Sequence, residues 1–251
     1  MAAGHISQLL NSTLVIVAHP DDESVGAGLL LQRMQNPSVV FCTDGGPLDS
    51  YFWNSYGSRE NYVRVRRKEA ETATNIAGVK RTAFLDFSDQ ELYKNLPCAL
   101  KSLQELTLKI QPDALLTHAY EGGHPDHDSC AFLTQLLGSR HRLPVWEMPL
   151  YHRTEKGIRG QAFLEPASED IPIRATPCEL EAKQHMVRAH VSQAQALHSF
   201  DLSIEHFRQQ APYDFLSPPD TEVINYEAWQ WPMRATELCT AFAALLREIQ
   251  P

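Results

Sequence analysis

The sequence predicts an α/β protein: a Rossmann-like, mostly parallel sheet with helices on both faces and a small C-terminal extension. Three observations predict it. Apolar runs of strand length alternate with stretches of helical periodicity between Thr13 and Leu137. The runs do not alternate apolar with polar residues, as expected of strands buried on both faces. The 251 residues, 43% of them hydrophobic, are enough for one such domain with a full core.

The elements follow in order. After a polar lead-in over 1–12, Thr13–Ala18 is the first strand, and His19–Glu23 is the loop that leaves it. A helix spans about Ser24–Met34, with Val25, Leu29, Leu30 and Met34 on one face; Gly26 and Gly28 weaken it but permit close packing, and Asn36-Pro37 ends it. Ser38–Thr43 is the second strand, closed by the turn Asp44-Gly45-Gly46-Pro47. The loop 48–60 carries Tyr51, Phe52, Trp53 and Tyr56, which either line a binding site or cover the edge of the core. A helix over about Glu60–Ala77 ends at Gly78, a residue suited to a left-handed cap. Arg81–Asp86 is the third strand, 96–110 a third helix with Leu100, Leu103, Leu106 and Ile110 at helical spacing, and Ala114–His118 the fourth strand. Ser129–Leu137 reads as a helix, Pro144–Tyr151 as a fifth strand, and 152–177 as a hairpin or short strands. Glu179–Leu197 is a helix begun after Pro177, and Ala235–Ile249 is the last. We divide the chain into a core, 1–200, and an extension, 201–251, packed on the same domain.

In the common strand order 3-2-1-4-5, strands one and four are neighbours and the winding reverses between them. Ligands bind at that crevice, beyond the carboxyl ends of the strands. Two clusters of like composition follow these two strands: His19-Pro20-Asp21-Asp22-Glu23, and Gly122-Gly123-His124-Pro125-Asp126-His127-Asp128. The expected fold therefore brings both to one place. Imidazole and carboxylate are the ligands of hydrolytic zinc, which typically takes three protein ligands and keeps a position for water. His19, Asp21, Asp22 and His127 are the candidates. His19 and Asp22 suit one centre from a tight turn, and His127 adds a third ligand. Asp21 and His124 are then left for a base and for a group that stabilises an oxyanion and protonates a leaving amine. Either Asp126 or Asp128 is placed to hold that imidazole charged. Asp44, at another strand end, is a further candidate. The competing reading makes Pro20 and Pro125 turn markers and Asp21 and Asp126 helix caps. It would be preferred for one cluster, and two clusters with the same core outweigh it. His5, His118, His141, His152, His185, His198 and His206 lack such context and are read as structural or exposed.

The net charge of −9 argues against nucleic-acid binding by bulk electrostatics. No apolar run reaches membrane-spanning length. Met1–His5 lacks the basic and apolar parts of a secretory signal, and five scattered cysteines without a C-x-x-C pair read as reduced thiols, so a cytoplasmic protein is expected.

The two His-Pro-Asp clusters resemble those of the LmbE-like, or PIG-L, family of zinc-dependent N-acetylglucosaminyl deacetylases. Arg66-Arg67-Lys68-Glu69 is similar to that family's R-x-x-E, and Lys183 with His190-Val191-Ser192-Gln193 to its late K…H-x-S-Q, so the resemblance spans about 13–195. It implies one zinc ion per chain, or another divalent ion, on His19, Asp22 and His127. It also implies Asp21 as base, His124 as the group stabilising the tetrahedral intermediate, and Asp126 tuning His124. Arg66 is implied to contact the substrate, and Asp44, Tyr120 and Trp53 are carried as further candidates for substrate contact. Some relatives have a Tyr two residues before the catalytic His; this chain has Gly122, with Tyr120 nearest. The tail does not match the family pattern, and Tyr226, Trp229 and Trp231 in it are candidates for a lid, an acceptor pocket, an oligomer contact or simple packing. The implied activity is hydrolysis of the N-acetyl amide of an amino-sugar substrate, with no nucleic-acid or membrane partner and with a homo-oligomer left open. The alternatives are the same chemistry on another N-acyl compound, or a metal- or sugar-binding protein without turnover.

Overall fold

Alternate residues of the first strand face two different cores. In β1 (Thr13–Val17), Leu14 and Ile16 pack in one cluster with Leu103, Phe132 and Phe242, whereas Val15 and Val17 pack in another with Leu29, Phe41, Met186 and Phe207. Helices cover both faces, so every position of the strand must be apolar. This is seen in a computed structural model that describes residues 6–249; residues 1–5, read above for a secretory signal, lie outside the described residues.

Strands β2 (Ser38–Thr43), β3 (Arg81–Phe87), β4 (Ala114–His118) and β5 (Val145–Met148) run parallel to β1 in the order β3-β2-β1-β4-β5, as expected. The region after β5 differs from expectation. The fifth strand stops at Met148, and Tyr151 opens a separate hairpin of β6 (Tyr151–Thr154) and β7 (Gly157–Gly160). Glu121 causes the break by accepting the N–H groups of Leu150 (2.8 Å) and Tyr151 (3.0 Å). Strands β8 (Ile171–Arg174) and β9 (Ile204–Gln209) then extend the sheet antiparallel beyond β5, so that residues 204–209 belong to the main sheet.

The helix expected over Ser24–Met34 is two helices, α1 (Asp22–Gly26) and α2 (Gly28–Arg33), broken at Ala27. The break lets the Leu29 and Leu30 N–H groups bond the buried Glu205 carboxylate, at 2.7 and 3.1 Å. Helix α3 (Arg59–Ile76) ends before Gly78 (φ 74°), the expected left-handed residue, and α4 (Leu96–Ile110) follows. Helix α5 (Pro125–His141) starts earlier than its apolar pattern does, because Pro125 takes its first turn and the His124 side chain caps it. The helix expected over Glu179–Leu197 is α6 (Pro177–Ala189), a 3-10 turn at Val191–Gln193 and α7 (Ala194–Leu197). The helices α8 (Asn225–Ala228) and α9 (Ala235–Ile249) complete the described chain. No described helix is long and apolar enough to cross a membrane.

Lys183 joins these parts. Its ammonium, fully buried in α6, donates to Glu205 in β9 (2.6 Å) and to the Val25 carbonyl in α1 (2.8 Å). Removing one member of such a pair leaves an uncompensated charge. Lys183→Met is therefore expected to lower unfolding free energy by about 3–5 kcal/mol in urea titrations, and Lys183→Met with Glu205→Leu to recover most of the loss. Equal stability of the single variant and wild type would show that the pair does not join the elements.

Candidate metal centre and active site

His19 follows β1 by two residues and His118 ends β4, and the chain turns into the crevice after each. Asp22, in the first turn of α1, accepts the His19 backbone N–H at 2.7 Å, which folds the His-Pro-Asp-Asp turn onto itself. His127, in the first turn of α5, meets them. His19 Nδ1 lies 3.3 Å from Asp22 Oδ2 and 3.3 Å from His127 Nε2, and His127 Nε2 lies 3.4 Å from Asp22 Oδ1. For metal–ligand bonds of about 2.0–2.1 Å, a tetrahedron sets its donors about 3.4 Å apart. The donor types suit a divalent ion, although the two distances to Asp22 run to its two different oxygens. Among the described residues, the groups whose donors lie close enough to hold one ion overlap here: His19, His124 and His127; His19, Asp89, His124 and Asp126; and Asp22, His118 and His127.

A second layer orients these donors. His19 Nε2 faces Asp126 Oδ2 at 3.2 Å and Asp89 Oδ1 at 3.3 Å, leaving Nδ1 for the centre. A carboxylate behind a ligating imidazole fixes its tautomer and raises its basicity. The His118 ring stacks on His127 at 4.0 Å and 2°, and its Nε2 accepts the Ala18 N–H at 3.0 Å. Burial, followed by His127, pushes the His118 pKa down to about 4, which keeps the ring a neutral acceptor.

Asp21 has a backbone φ of 151°, a costly conformation for a residue with a side chain. Arg66 of α3 holds it there, donating to Asp21 Oδ2 and to the Pro20 carbonyl, both at 2.9 Å, and to the Gly45 carbonyl at 2.6 Å. Burial raises the Asp21 pKa to about 6 against the lowering effect of Arg66, a range that suits a base working near neutrality. The ring of His124 lies 4.3 Å from that of His19 and 5.1 Å from that of His127. Its Nδ1 accepts the Asp126 backbone N–H at 3.2 Å, so a neutral ring carries its proton on Nε2, which faces Asp89 Oδ1 at 3.5 Å. Burial, with His19 and His127, holds the His124 pKa well below the usual imidazole range. Its free donor is therefore Nε2–H, and burial opposes the cationic form expected from the sequence.

Other expected roles move as well. Asp126 supports His19 more closely than His124, whose Nδ1 is 3.8 Å away and already occupied by a backbone N–H. Asp126 also accepts the N–H groups of Gln90 (2.6 Å) and Leu92 (3.1 Å). Arg66 bonds Asp21 and two carbonyls through Nη1 and Nη2, and its buried Nε has no partner among the described residues. Asp44 is bound to Arg59 through both oxygens at 2.8 Å. Tyr120 is buried beside Phe215 and donates to the Ser217 carbonyl at 2.8 Å, and the Trp53 indole donates to the Pro47 carbonyl at 3.0 Å. These two side chains are thereby tied into the fold.

Several site residues had not been singled out. Asp89 follows β3 in Ser88-Asp89-Gln90; a carboxylate just past a parallel strand was the available signal. Tyr151 places its ring 5.4 Å from His127. Glu23 accepts the Asp21 N–H at 3.1 Å and the Ser24 hydroxyl at 2.5 Å, and lies 3.4 Å from His190 Nε2. Ser192, two residues on, donates its N–H and hydroxyl to Glu69, at 2.8 and 2.6 Å. The R-x-x-E and H-x-S-Q segments therefore brace the Asp21–Glu23 turn.

Comparison with known proteins places this geometry among related chains. Residues 14–137 match the family model PIG-L, described as GlcNAc-PI de-N-acetylase. The chain is 28% identical over 190 residues to a probable N-acetyl-alpha-D-glucosaminyl L-malate deacetylase 2 of Bacillus cereus, across 73% of this chain and 84% of that protein. A deacetylase from the biosynthesis pathway of teicoplanin superposes with a TM-score of 0.64 at 16% identity, covering 80% of this chain and 99% of its own. The N,N'-diacetylchitobiose deacetylase from Pyrococcus horikoshii gives 0.57 at 22% identity, covering 73% and 70%. At these identities the two structures establish a shared fold.

The support that Asp126 gives to His19 can be measured. Asp126→Asn is expected to weaken zinc binding roughly 10- to 100-fold in competition with a chromophoric chelator. Unchanged affinity would remove Asp126 from the support of the ligand.

Proposed function

Because the chain carries a PIG-L/LmbE-like family domain, we propose that it hydrolyses the N-acetyl amide of an N-acetylglucosamine-containing substrate, giving acetate and the free amine. The observation that carries this reading is the convergence of His19 Nδ1, His127 Nε2 and the Asp22 carboxylate, with each imidazole 3.3–3.4 Å from one of the two Asp22 oxygens and the two imidazole nitrogens 3.3 Å apart, and with Asp21 and His124 beside them. His19, Asp22 and His127 would hold one zinc or similar divalent ion. Such an ion, when bound, lowers the pKa of water to about 7 and polarises a carbonyl.

The residues of the chain supply the remaining steps. Asp21, fixed by Arg66, takes the proton from the attacking water. The His124 Nε2–H donates to the oxygen of the amide as negative charge develops on it. Collapse of the tetrahedral intermediate breaks the C–N bond, and the proton held by Asp21 is available to the departing amine. Asp89 sets a carboxylate 3.3 Å from His19 Nε2, 3.5 Å from His124 Nε2 and 4.0 Å from Arg66, which places its charge beside both rings.

Acetate release from N-acetylglucosamine, its phosphates, its glycosides and chitobiose by zinc-loaded protein tests the reading. Asp21→Asn is expected to reduce turnover roughly 10²- to 10⁴-fold while zinc content stays at wild-type level. Full turnover in that variant would rule out Asp21 as the base. Absence of acetate from every sugar, with zinc bound, would overturn the substrate assignment.

A further inference from the structure

A continuous aromatic wall flanks the metal centre, and most of it comes from outside the segment that matches the family. The Trp231 ring stands edge-on to His124 at 5.1 Å, Trp229 lies 5.0 Å from Trp231, Tyr151 lies 6.4 Å from Trp229, and His127 closes the circuit at 5.4 Å from Tyr151. The family match ends at residue 137, so Tyr151, Trp229 and Trp231 all lie beyond it.

The wall is tied to the catalytic loop. The Asn225 N–H donates to the Gly122 carbonyl at 2.9 Å, and its amide donates to the Gly123 carbonyl at 3.0 Å. The Tyr226 hydroxyl donates to Asp128 at 3.2 Å, and the Trp231 N–H donates to the Tyr226 carbonyl at 3.0 Å. The two glycines permit this approach. A side chain at Gly122 (φ 68°) would strike Ile224, and one at Gly123 would strike the Tyr151 carbonyl. Tyr226 is fully buried and serves as the anchor, whereas Trp229 remains 39% exposed. Trp231 is half-buried, with part of its ring packed on the core, and Trp229 beside it keeps a free surface.

We propose that Trp231 and Trp229 form the specificity-determining platform for the substrate, Trp231 against the sugar ring and Trp229 against the group attached to it. The proposal rests on the deacetylase reading above. His124 acts on the amide carbonyl, and the amide nitrogen is bonded to the sugar, so the sugar lies within about one ring's width of His124. Trp231, 5.1 Å from the His124 ring, borders that position. Trp229 is the next ring outward, and it meets whatever the sugar carries. Aromatic faces suit the apolar C–H faces of pyranose rings. The preferred substrate is therefore a conjugate, an N-acetylglucosaminide with a second ring or group, rather than free N-acetylglucosamine.

The test compares free N-acetylglucosamine, its methyl glycoside and N,N'-diacetylchitobiose. Wild type is expected to show the lowest KM for the disaccharide. Trp229→Ala is expected to raise that KM roughly three- to tenfold with kcat little changed and the monosaccharide KM unmoved, and Trp229→Phe to restore it. In parallel, the tryptophan emission of zinc-loaded Asp21→Asn protein is titrated with the same sugars; a change with the disaccharide that is lost on adding Trp229→Ala supports the platform. An unaltered disaccharide KM in Trp229→Ala would overturn the proposal while leaving the deacetylase reading intact. Disaccharide binding seen by emission without acetate release from wild type would support the platform and overturn the deacetylase reading. No emission change with any sugar would overturn the platform.

Discussion

The buried charge at the adjoining ends of β1 and β4 is the constraint from which the rest of the arrangement follows. The two strands are paired in register, Leu14 with Leu115 and Val15 with Leu116, and their chains diverge beyond the sheet edge. Into the gap go the carboxylates of Asp21, Asp22, Asp89 and Asp126, with Arg66 as the full cation among them and four imidazoles around them. Such a concentration of negative charge away from water is costly unless it is compensated. A divalent cation held where His19, Asp22 and His127 converge would supply that compensation.

That demand explains features that local propensity does not. Helix α3 is polar overall, and its buried face includes Arg66 and Glu69 as well as alanines. It packs on the site, where Arg66 holds Asp21 in its strained conformation and Glu69 accepts from Ser192. The chain from α6 to α7 leaves helical geometry at His190 (φ −84°, ψ 62°), and this turn brings the His190 ring to Glu23 and Ser24. Continuous helix was the better local solution for residues 179–197. The two bonds to the Asp21–Glu23 turn and to α3 override it. Backbone strain at Asp21, worth about 1–3 kcal/mol for such a conformation, is sustained by the same contacts.

Much of this was legible in the sequence because it rests on repeated patterns. The apolar runs from Thr13 to His118 gave the parallel strands and their order, and the paired His-Pro-Asp clusters gave the residues of the donor triangle. What was not legible depends on single long-range contacts. The break at Ala27 exists because Glu205, far along the chain, takes the Leu29 and Leu30 N–H groups. The end of β5 is set by Glu121 and not by any turn residue. Asp89 was not singled out in the sequence; its place between His19 and His124 follows from the path of the chain after β3. The substrate contact of Arg66 was implied by the resemblance alone. Its partners in the structure come from two separate turns: Asp21 and the Pro20 carbonyl after β1, some 45 residues away, and the Gly45 carbonyl after β2, 21 residues away.

The proposed chemistry and the proposed specificity rest on separable parts of the chain. The strand ends and α5 that carry His19, Asp21, Asp22, His124 and His127 fall within residues 14–137, the segment that matches the family model. The hairpin at Tyr151 and the segment through Trp231 lie beyond it, yet they lean on the catalytic loop through Gly122, Gly123 and Asp128. A change in this outer segment alters what reaches the centre without altering the donor triangle. The reverse does not hold. Gly123 has no room for a side chain beneath the Tyr151 carbonyl, so the catalytic loop must keep its shape for the wall to stand where it does. The inner part therefore constrains the outer one, which is the relation expected when one reaction centre serves substrates that differ mainly in the group carried by the sugar.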